Sequence, residues 1–199
     1  MRLTISFCSI VTASLLAAGC VSSRPVHYYT IDLPSSPANP AKPDGLTILV
    51  GNIATPEPLQ DGRIRYRAGN NEAGAYEYHR WAERPGEMVR EALVRTLRSS
   101  GKYRRVLESA SSAVGDYLLR GKLHEFGEVD RAGIETNIRL HIELVDTKTN
   151  RVVWDHLAER TEPVGGKTVP EVVASMDRNL HQVVNEVTAG IDQFLSAQR

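Results

Sequence analysis

The C-terminal part of the chain carries the strongest folding signal, an apolar pattern with the period of an α-helix. Between positions 169 and 194 the apolar residues recur at spacings of three, one, three and four. They are Val169, Val172, Val173, Met176, Leu180, Val183, Val184, Val187, Ile191 and Phe194. A period of 3.6 residues explains this pattern and a strand does not. Thr168 and Glu171 have the spacing of a capping box, and Pro170 suits a first helical turn. The sequence therefore predicts a long helix whose apolar side covers a sheet.

Strict alternation before this helix indicates the sheet. In IETNIRLHIELVD, the side chains of Ile138, Leu140, Ile142 and Leu144 share one face of a strand, and polar side chains occupy the other. TKTN then turns the chain, and RVVWDHLAER returns as the partner strand. Further upstream, RIRYRA and AYEYHRWA flank the turn-forming AGNNEAG, which predicts a second hairpin.

The remaining elements complete the predicted fold. Strands are expected over Val26–Leu33, over Leu46–Ile53 and in YRRVLE, and the glycines of DYLLRGKLHEFGEV are typical of bulges. A helix from Pro85 to Ser100 is closed by Gly101. We therefore expect an α/β protein of the α+β type, with a mixed, largely antiparallel sheet packed against two helices.

The N-terminus has the layout of a secretory signal peptide. Arg2 is followed by a mostly apolar run and then by small residues, so residues 1–19 are expected to be removed. The run is also short for a membrane-spanning helix, which needs about 20 apolar residues. Ala18-Gly19-Cys20 resembles the bacterial lipobox, in which the cysteine becomes the first mature residue and its thiol carries lipid. An ordinary signal peptide that ends near a cysteine is the alternative.

The predicted cleavage and lipidation divide the chain into three parts. Residues 1–19 form the signal peptide, and residues 20–45 hold the lipidated N-terminus, a short strand and a Pro-rich segment. Residues 46–199 form a single domain. By resemblance to enterobacterial lipoproteins, an Asp after the cysteine would favour the inner membrane. Val21 therefore favours the outer membrane, with the domain on its periplasmic face.

Composition limits the classes of partner and cofactor. The 24 basic and 24 acidic side chains leave no broad basic field, so nucleic-acid binding is not expected. Cys8 is lost with the signal peptide and Cys20 is blocked by lipid, which leaves no thiol for a disulfide or a metal. Apart from the covalent lipid on Cys20, no cofactor is expected.

Motifs for catalysis are weak. GGKT at 165–168 lies between a strand and a helix, but a phosphate-binding P-loop needs a further glycine where Thr161 stands. A glycine-rich turn leading into a capped helix is the favoured reading. The histidines lack metal-ligand spacing, and no GxSxG motif occurs, so neither a metal site nor an enzyme is expected.

Three aromatic residues are candidates for a contact surface. Tyr76, Tyr78 and Trp81 could dock a partner or a hydrophobic molecule. The favoured interpretation is that Tyr76 and Tyr78 share one face of a strand, while Trp81 packs where that strand enters the helix.

The order of several segments resembles one family. The lipobox is followed by HYYTIDLP, LTILVGNI and YEYHRWAERPGEMVREALVRTLRSSGKYRRV, then by RLHIELVDTKTNRVVW and the amphipathic helix. This order resembles the ABC-type transport auxiliary lipoproteins, the PqiC-like family, over nearly the whole mature chain. The most specific parts are the YYT-DLP start and the Y-x-x-W-x-x-x-P segment at Tyr78, Trp81 and Pro85.

The resemblance implies a non-catalytic auxiliary subunit. Such proteins act beside an inner-membrane permease and ATPase and an MCE-domain protein that spans the periplasm, and together these move lipids or other hydrophobic molecules between the membranes. The hypothesis is a lipoprotein that tethers or caps this assembly at the outer membrane, with homo-oligomer formation left open. The alternatives are an accessory lipoprotein of a secretion pore or a cell-wall synthase and, more distantly, a periplasmic hydrolase.

Overall fold

The computed structural model describes residues 24–33, 45–69, 71–109 and 113–198. The predicted signal peptide, Cys20 and positions 34–44 of the Pro-rich segment lie outside these ranges. Within the described part, no helix is both long enough and apolar enough to cross a bilayer.

Eight strands and two α-helices make up the described fold. The strands are β1 (His27–Tyr29), β2 (Thr47–Ala54), β3 (Arg63–Ala68), β4 (Glu72–Trp81), β5 (Arg105–Glu108), β6 (Tyr117–Asp130), β7 (Ile134–Asp146) and β8 (Arg151–Pro163). The helices are α1 (Pro85–Ser99) and α2 (Val169–Ala197), and a short 3-10 turn covers Glu57–Leu59. This confirms the predicted α+β class with two helices, the second of them long.

All strands belong to one mixed sheet organised around β6. Antiparallel β7 pairs along the whole of β6, while β2 and β3 share its other side in parallel, β2 along its first half and β3 along its end. β4 pairs antiparallel with β3, and β1 pairs in parallel with β4. β5 pairs in parallel with β2, and β8 pairs antiparallel with β7. The run β1-β4-β3-β6-β7-β8 therefore places β1 and β8 at opposite edges.

Both helices cover one face of the sheet and bury a single core. α1 packs on β2, α2 packs on β7 and β8, and the two helices touch each other. The predicted apolar face of β7 is fully buried, with Ile138, Leu140, Ile142 and Leu144 at 0% exposure. Opposite it, the apolar stripe of α2 is buried as well. The two periodic patterns in the sequence are therefore the two halves of one interface.

A polar cluster fixes the position of α2 on the sheet. Thr136 of β7 and Ser175 of α2 lie with their hydroxyl oxygens 2.9 Å apart in the interior. The Asn179 side-chain amide donates to the Thr136 carbonyl at 3.1 Å and to the Arg160 carbonyl at 3.2 Å. Because buried polar groups need partners, these hydrogen bonds favour one register of the helix on the sheet, although the side-chain oxygen of Asn179 is left without a partner.

Gly101 behaves as predicted, and one glycine of β6 lies at a register shift. Gly101 follows α1 with φ +66°, as a helix-ending glycine does. In the pairing of β6 with β7 the register shifts between Leu123 and Glu125, away from the glycines. In its pairing with β2 the register shifts between Val50 and Ile53, and Ile53 is aligned with Gly121. Gly121 also allows close approach of β7, because a Cβ there would overlap the carbonyl oxygen of His141.

Substitution of Gly121 by alanine is expected to destabilise the domain by about 2–3 kcal/mol, since the backbone of β7 would have to move. The matched control is Gly133→Ala. A Cβ at Gly133 has no neighbour within 4 Å, so its free energy of unfolding should stay within about 0.5 kcal/mol of the parent. Urea unfolding followed by circular dichroism measures both, and equal stabilities for the two variants would contradict the prediction.

Candidate functional site

Trp81 lies in the core and is 3% exposed. It ends β4 just before α1, and its ring meets the ring of Phe126 edge-on with centroids 5.4 Å apart. The Trp81 amide donates to the Gly62 carbonyl at 2.7 Å, which ties the end of the strand to the start of β3. In this conformation Trp81 supports the fold and does not form part of an open surface.

Tyr76 is half-buried and supplies the partner of a buried carboxylate. Its hydroxyl donates to Glu128 at 2.7 Å, and Glu128 is only 8% exposed. The rings of Tyr76 and Tyr66 lie 5.3 Å apart. Burial, together with the hydrogen bond to Glu128, raises the pKa of Tyr76 above its ordinary value. The phenol therefore stays neutral and keeps donating to Glu128.

The variant Tyr76→Phe is expected to lose about 1–3 kcal/mol of unfolding free energy, because Glu128 would remain buried without its donor. The matched control is Tyr78→Phe, which removes a hydroxyl from the same strand and leaves Glu128 satisfied. Thermal unfolding of both variants checks this result. A Tyr76→Phe melting temperature equal to that of Tyr78→Phe would show that the hydrogen bond contributes nothing.

Tyr78 lies on the opposite face of β4 from Tyr76, which differs from the predicted shared face. The register between β3 and β4 shifts between Arg63 and Arg65, so β4 carries extra residues at this point and the alternation is interrupted. Tyr78 stacks under the Arg24 guanidinium, which lies 5.7 Å from the ring centroid. A hydrogen bond with Glu77 raises the pKa of Tyr78. Contact of Tyr78 with a partner stays a prediction.

Sequence reasoning did not single out the neighbours of Tyr78. Tyr28 is aligned with Arg80 on β4 and is 66% exposed, and Val26 is 38% exposed. The available signal was HYY itself, whose alternation places Tyr28 on the side opposite His27 and Tyr29. Arg24, Tyr28, Tyr78 and Arg80 form a basic and aromatic surface at the N-terminal edge of the sheet.

A cavity of about 410 Å³ lies beside β3, β6 and β7. Gly127 is aligned with Arg65 on one neighbouring strand and Asn137 on the other, and its missing side chain lets β3 approach closely, because a Cβ there would lie 2.6 Å from the Arg65 carbonyl oxygen. The Asn137 side-chain oxygen and the Arg65 Nε are buried without hydrogen-bond partners. Apolar walls come from Pro58, Leu59, Phe126 and Val129. The cavity therefore offers apolar contact together with one acceptor and one donor.

The GGKT segment forms the start of a helix. The Thr168 amide donates to the Glu171 carboxylate at 3.0 Å, which confirms the predicted capping box. The Thr168 side chain, by its hydrogen bond to Glu171, lowers the pKa of that carboxyl group. The carboxylate fills the space next to Gly166, where a Cβ would overlap it. The described residues also contain no group of three or more His, Cys, Asp or Glu side chains placed to hold a metal ion.

Comparison with known proteins relates the chain to one family. The family model described as ABC-type transport auxiliary lipoprotein component matches residues 29–188. No curated protein matches the sequence. Protein XCC0632 from Xanthomonas campestris, of family DUF330, has the same fold, with TM-score 0.76, 21% identity, and coverage of 87% of this chain and 100% of that chain. A second crystal structure, of an uncharacterized protein, gives TM-score 0.66 and 16% identity, covering 84% and 99%. A PelC dodecamer from Paraburkholderia phytofirmans gives TM-score 0.48 and 19% identity, covering 78% and 96%.

Proposed function

The chain belongs to the family of ABC-type transport auxiliary lipoprotein components, and on this premise we propose that it tethers or caps an MCE-type transport assembly at the outer membrane. In this proposal Cys20 carries the lipid, the domain faces the periplasm, and the partners are an MCE-domain protein and an inner-membrane permease with its ATPase. The cargo class is lipids or other hydrophobic molecules. The observation that carries the proposal is the way in which the N-terminal segment is built into the domain.

The segment 27–32, which follows the candidate lipid site by a few residues, is held at several points. β1 pairs in parallel with β4, and the Tyr29 hydroxyl lies 2.9 Å from Nδ1 of His79. Ile31 is 7% exposed and joins the core. The chain thus enters the fold as a strand and a buried anchor residue.

The same segment is also attached to α2. The Asp32 amide donates to the Asp177 carboxylate at 2.9 Å, and the Asp32 carbonyl lies 2.7 Å from Nε2 of His181. A force on the lipidated N-terminus would therefore load the sheet edge and the long helix together. Such a connection suits a tether, because a freely hanging N-terminus would let the domain tumble away from its anchor.

A non-catalytic role agrees with the chemistry of the described residues. GGKT caps a helix, and Glu128, the buried carboxylate described above, is bonded to Tyr76. In the proposed assembly, ATP is hydrolysed by the partner subunit at the inner membrane. This chain supplies a membrane anchor and surfaces for protein contact.

The test is a crosslinked pull-down of the full-length tagged protein from native membranes, followed by mass spectrometry. Recovery of an MCE-domain protein together with its permease is the expected result. The matched control is the Cys20→Ala variant, which should recover less of both proteins. Recovery of secretion or cell-wall machinery without any MCE-domain protein would overturn the proposal in favour of an envelope-assembly accessory.

A further inference from the structure

The N-terminal edge of the sheet presents an exposed basic and aromatic surface, here called the β1 face and defined by Arg24, Val26, Tyr28, Tyr78 and Arg80. Tyr28 and Arg80 are aligned across β1 and β4, so their side chains leave the sheet on the same side. Two residues before Arg80, Tyr78 shares that side and contacts Arg24. The opposite side of the same strands carries Trp81 into the core.

Arg24 and Arg80 bring positive charge to this face without carboxylate partners. Across residues 24–33, 45–69, 71–109 and 113–198, neither arginine forms an ion pair within 4.0 Å. On the next strand Arg63 is aligned with Arg80, and its guanidinium lies 3.2 Å from Asp61. Like charges directly opposite each other on a sheet are destabilising. An external anion beside Arg80 would relieve this repulsion.

The length of chain before Arg24 limits where this face can lie. Cys20 precedes Arg24 by four residues, so even a fully extended chain separates their Cα atoms by at most about 14 Å. A compact domain of about 180 residues has a radius of gyration near 16 Å and hence a diameter of about 40 Å. Since Arg24 is fixed on Tyr78, the tether is much shorter than the domain it holds.

We infer that the β1 face lies against the headgroup layer of the membrane that holds the lipid of Cys20, with Arg24 and Arg80 at lipid phosphates and Tyr28 at the boundary with the acyl chains. This inference rests on the lipidation in the proposed function. Tyrosine is enriched at membrane–water interfaces, and each arginine near an anionic surface contributes about 1 kcal/mol. The occupant is therefore an anionic phospholipid surface.

The opposite edge of the sheet lies well away from the β1 face. Five strand spacings separate β1 from β8, which is about 24 Å of sheet. Val152 and Leu157 on β8 are 46% and 45% exposed.

The test uses the full-length acylated protein reconstituted in vesicles of phosphatidylethanolamine and phosphatidylglycerol that carry a headgroup-attached quencher. Tyr28→Cys provides one free thiol, because Cys20 is blocked by lipid, and it is labelled with the fluorophore NBD. Val152→Cys is the matched control at the opposite edge. We expect NBD at position 28 to be quenched about three-fold or more strongly than at position 152.

Two outcomes would overturn the inference. Equal quenching at positions 28 and 152 in protein that co-sediments with vesicles would mean that the β1 face does not meet lipid. The second test combines Arg24→Glu with Arg80→Glu and compares this variant with the control pair Arg131→Glu and Arg151→Glu. If quenching at position 28 were the same in both, the two arginines of the β1 face would not contact lipid phosphates. Failure of the acylated protein to co-sediment would instead contradict the anchor itself, and with it the proposed function.

Discussion

Replacement of Trp81 by alanine is expected to lower the free energy of unfolding by about 3–5 kcal/mol. Trp81 is 3% exposed, contacts Phe126 edge-on, and lies where β1, β4 and the start of α1 meet. Its removal would leave a large cavity at that junction. Because domains are stable by about 5–15 kcal/mol, this is a substantial share of the total. Urea unfolding followed by circular dichroism measures the loss.

The control for this prediction lies on the neighbouring strand. Tyr28 is 66% exposed and points away from the core, so Tyr28→Ala should stay within about 0.5 kcal/mol of the parent. Trp81→Phe keeps an aromatic ring next to Phe126 and should lose less than Trp81→Ala. A Trp81→Ala variant as stable as Tyr28→Ala would show that this junction is not part of the stabilising core.

Elements with a strong hydrophobic period could be predicted from the sequence, because one side of each packs in the core and the other side does not. α2 packs on the sheet along one stripe, and β7 presents alternate residues to it. The spacing of apolar residues in each element therefore reflects the interface between α2 and β7. Thr136, Ser175 and Asn179 interrupt this apolar interface, and their mutual hydrogen bonds were not visible in the sequence, since they depend on the register between α2 and β7.

Strand pairing was less predictable, because local patterns do not specify partners distant in sequence. The N-terminal strand was expected over Val26–Leu33, but β1 covers only His27–Tyr29. Ile31 turns into the core and Asp32 bonds to α2, and both contacts draw the chain away from the sheet. The parallel pairing of β1 with β4 depends on these long-range contacts.

The candidate site shows the same limit at the level of single side chains. Residues 76 and 78 have the spacing of a shared strand face, yet the register shift between β3 and β4 sends Tyr76 to Glu128 and Tyr78 to Arg24. A bulge leaves little trace in a sequence. The proposed membrane anchor is inferred from the lipobox-like motif, which does not depend on strand register. The decisive experiment therefore concerns Cys20.

Replacement of Cys20 by alanine is expected to move at least about nine-tenths of the protein from the membrane fraction to the periplasmic fraction, since stable anchoring needs two or more acyl chains, each contributing about 0.8 kcal/mol per buried methylene. The substitution also removes the predicted cleavage site, so residues 1–19 are replaced in this variant by the signal peptide of a secreted protein. Intact mass then confirms both cleavage and the absence of lipid.

Cys8→Ala in the natural chain is the matched control, because Cys8 lies in the predicted signal peptide and its loss should leave anchoring intact. The domain itself should remain folded in the Cys20→Ala variant, because Ile31 is the first buried side chain among the residues that the structure describes, well after position 20. Circular dichroism of the released protein checks this point. A Cys20→Ala variant that stays fully membrane-bound and active would contradict the tether, since the β1 face alone, with two unpaired arginines, gives only weak and salt-sensitive attachment to lipid.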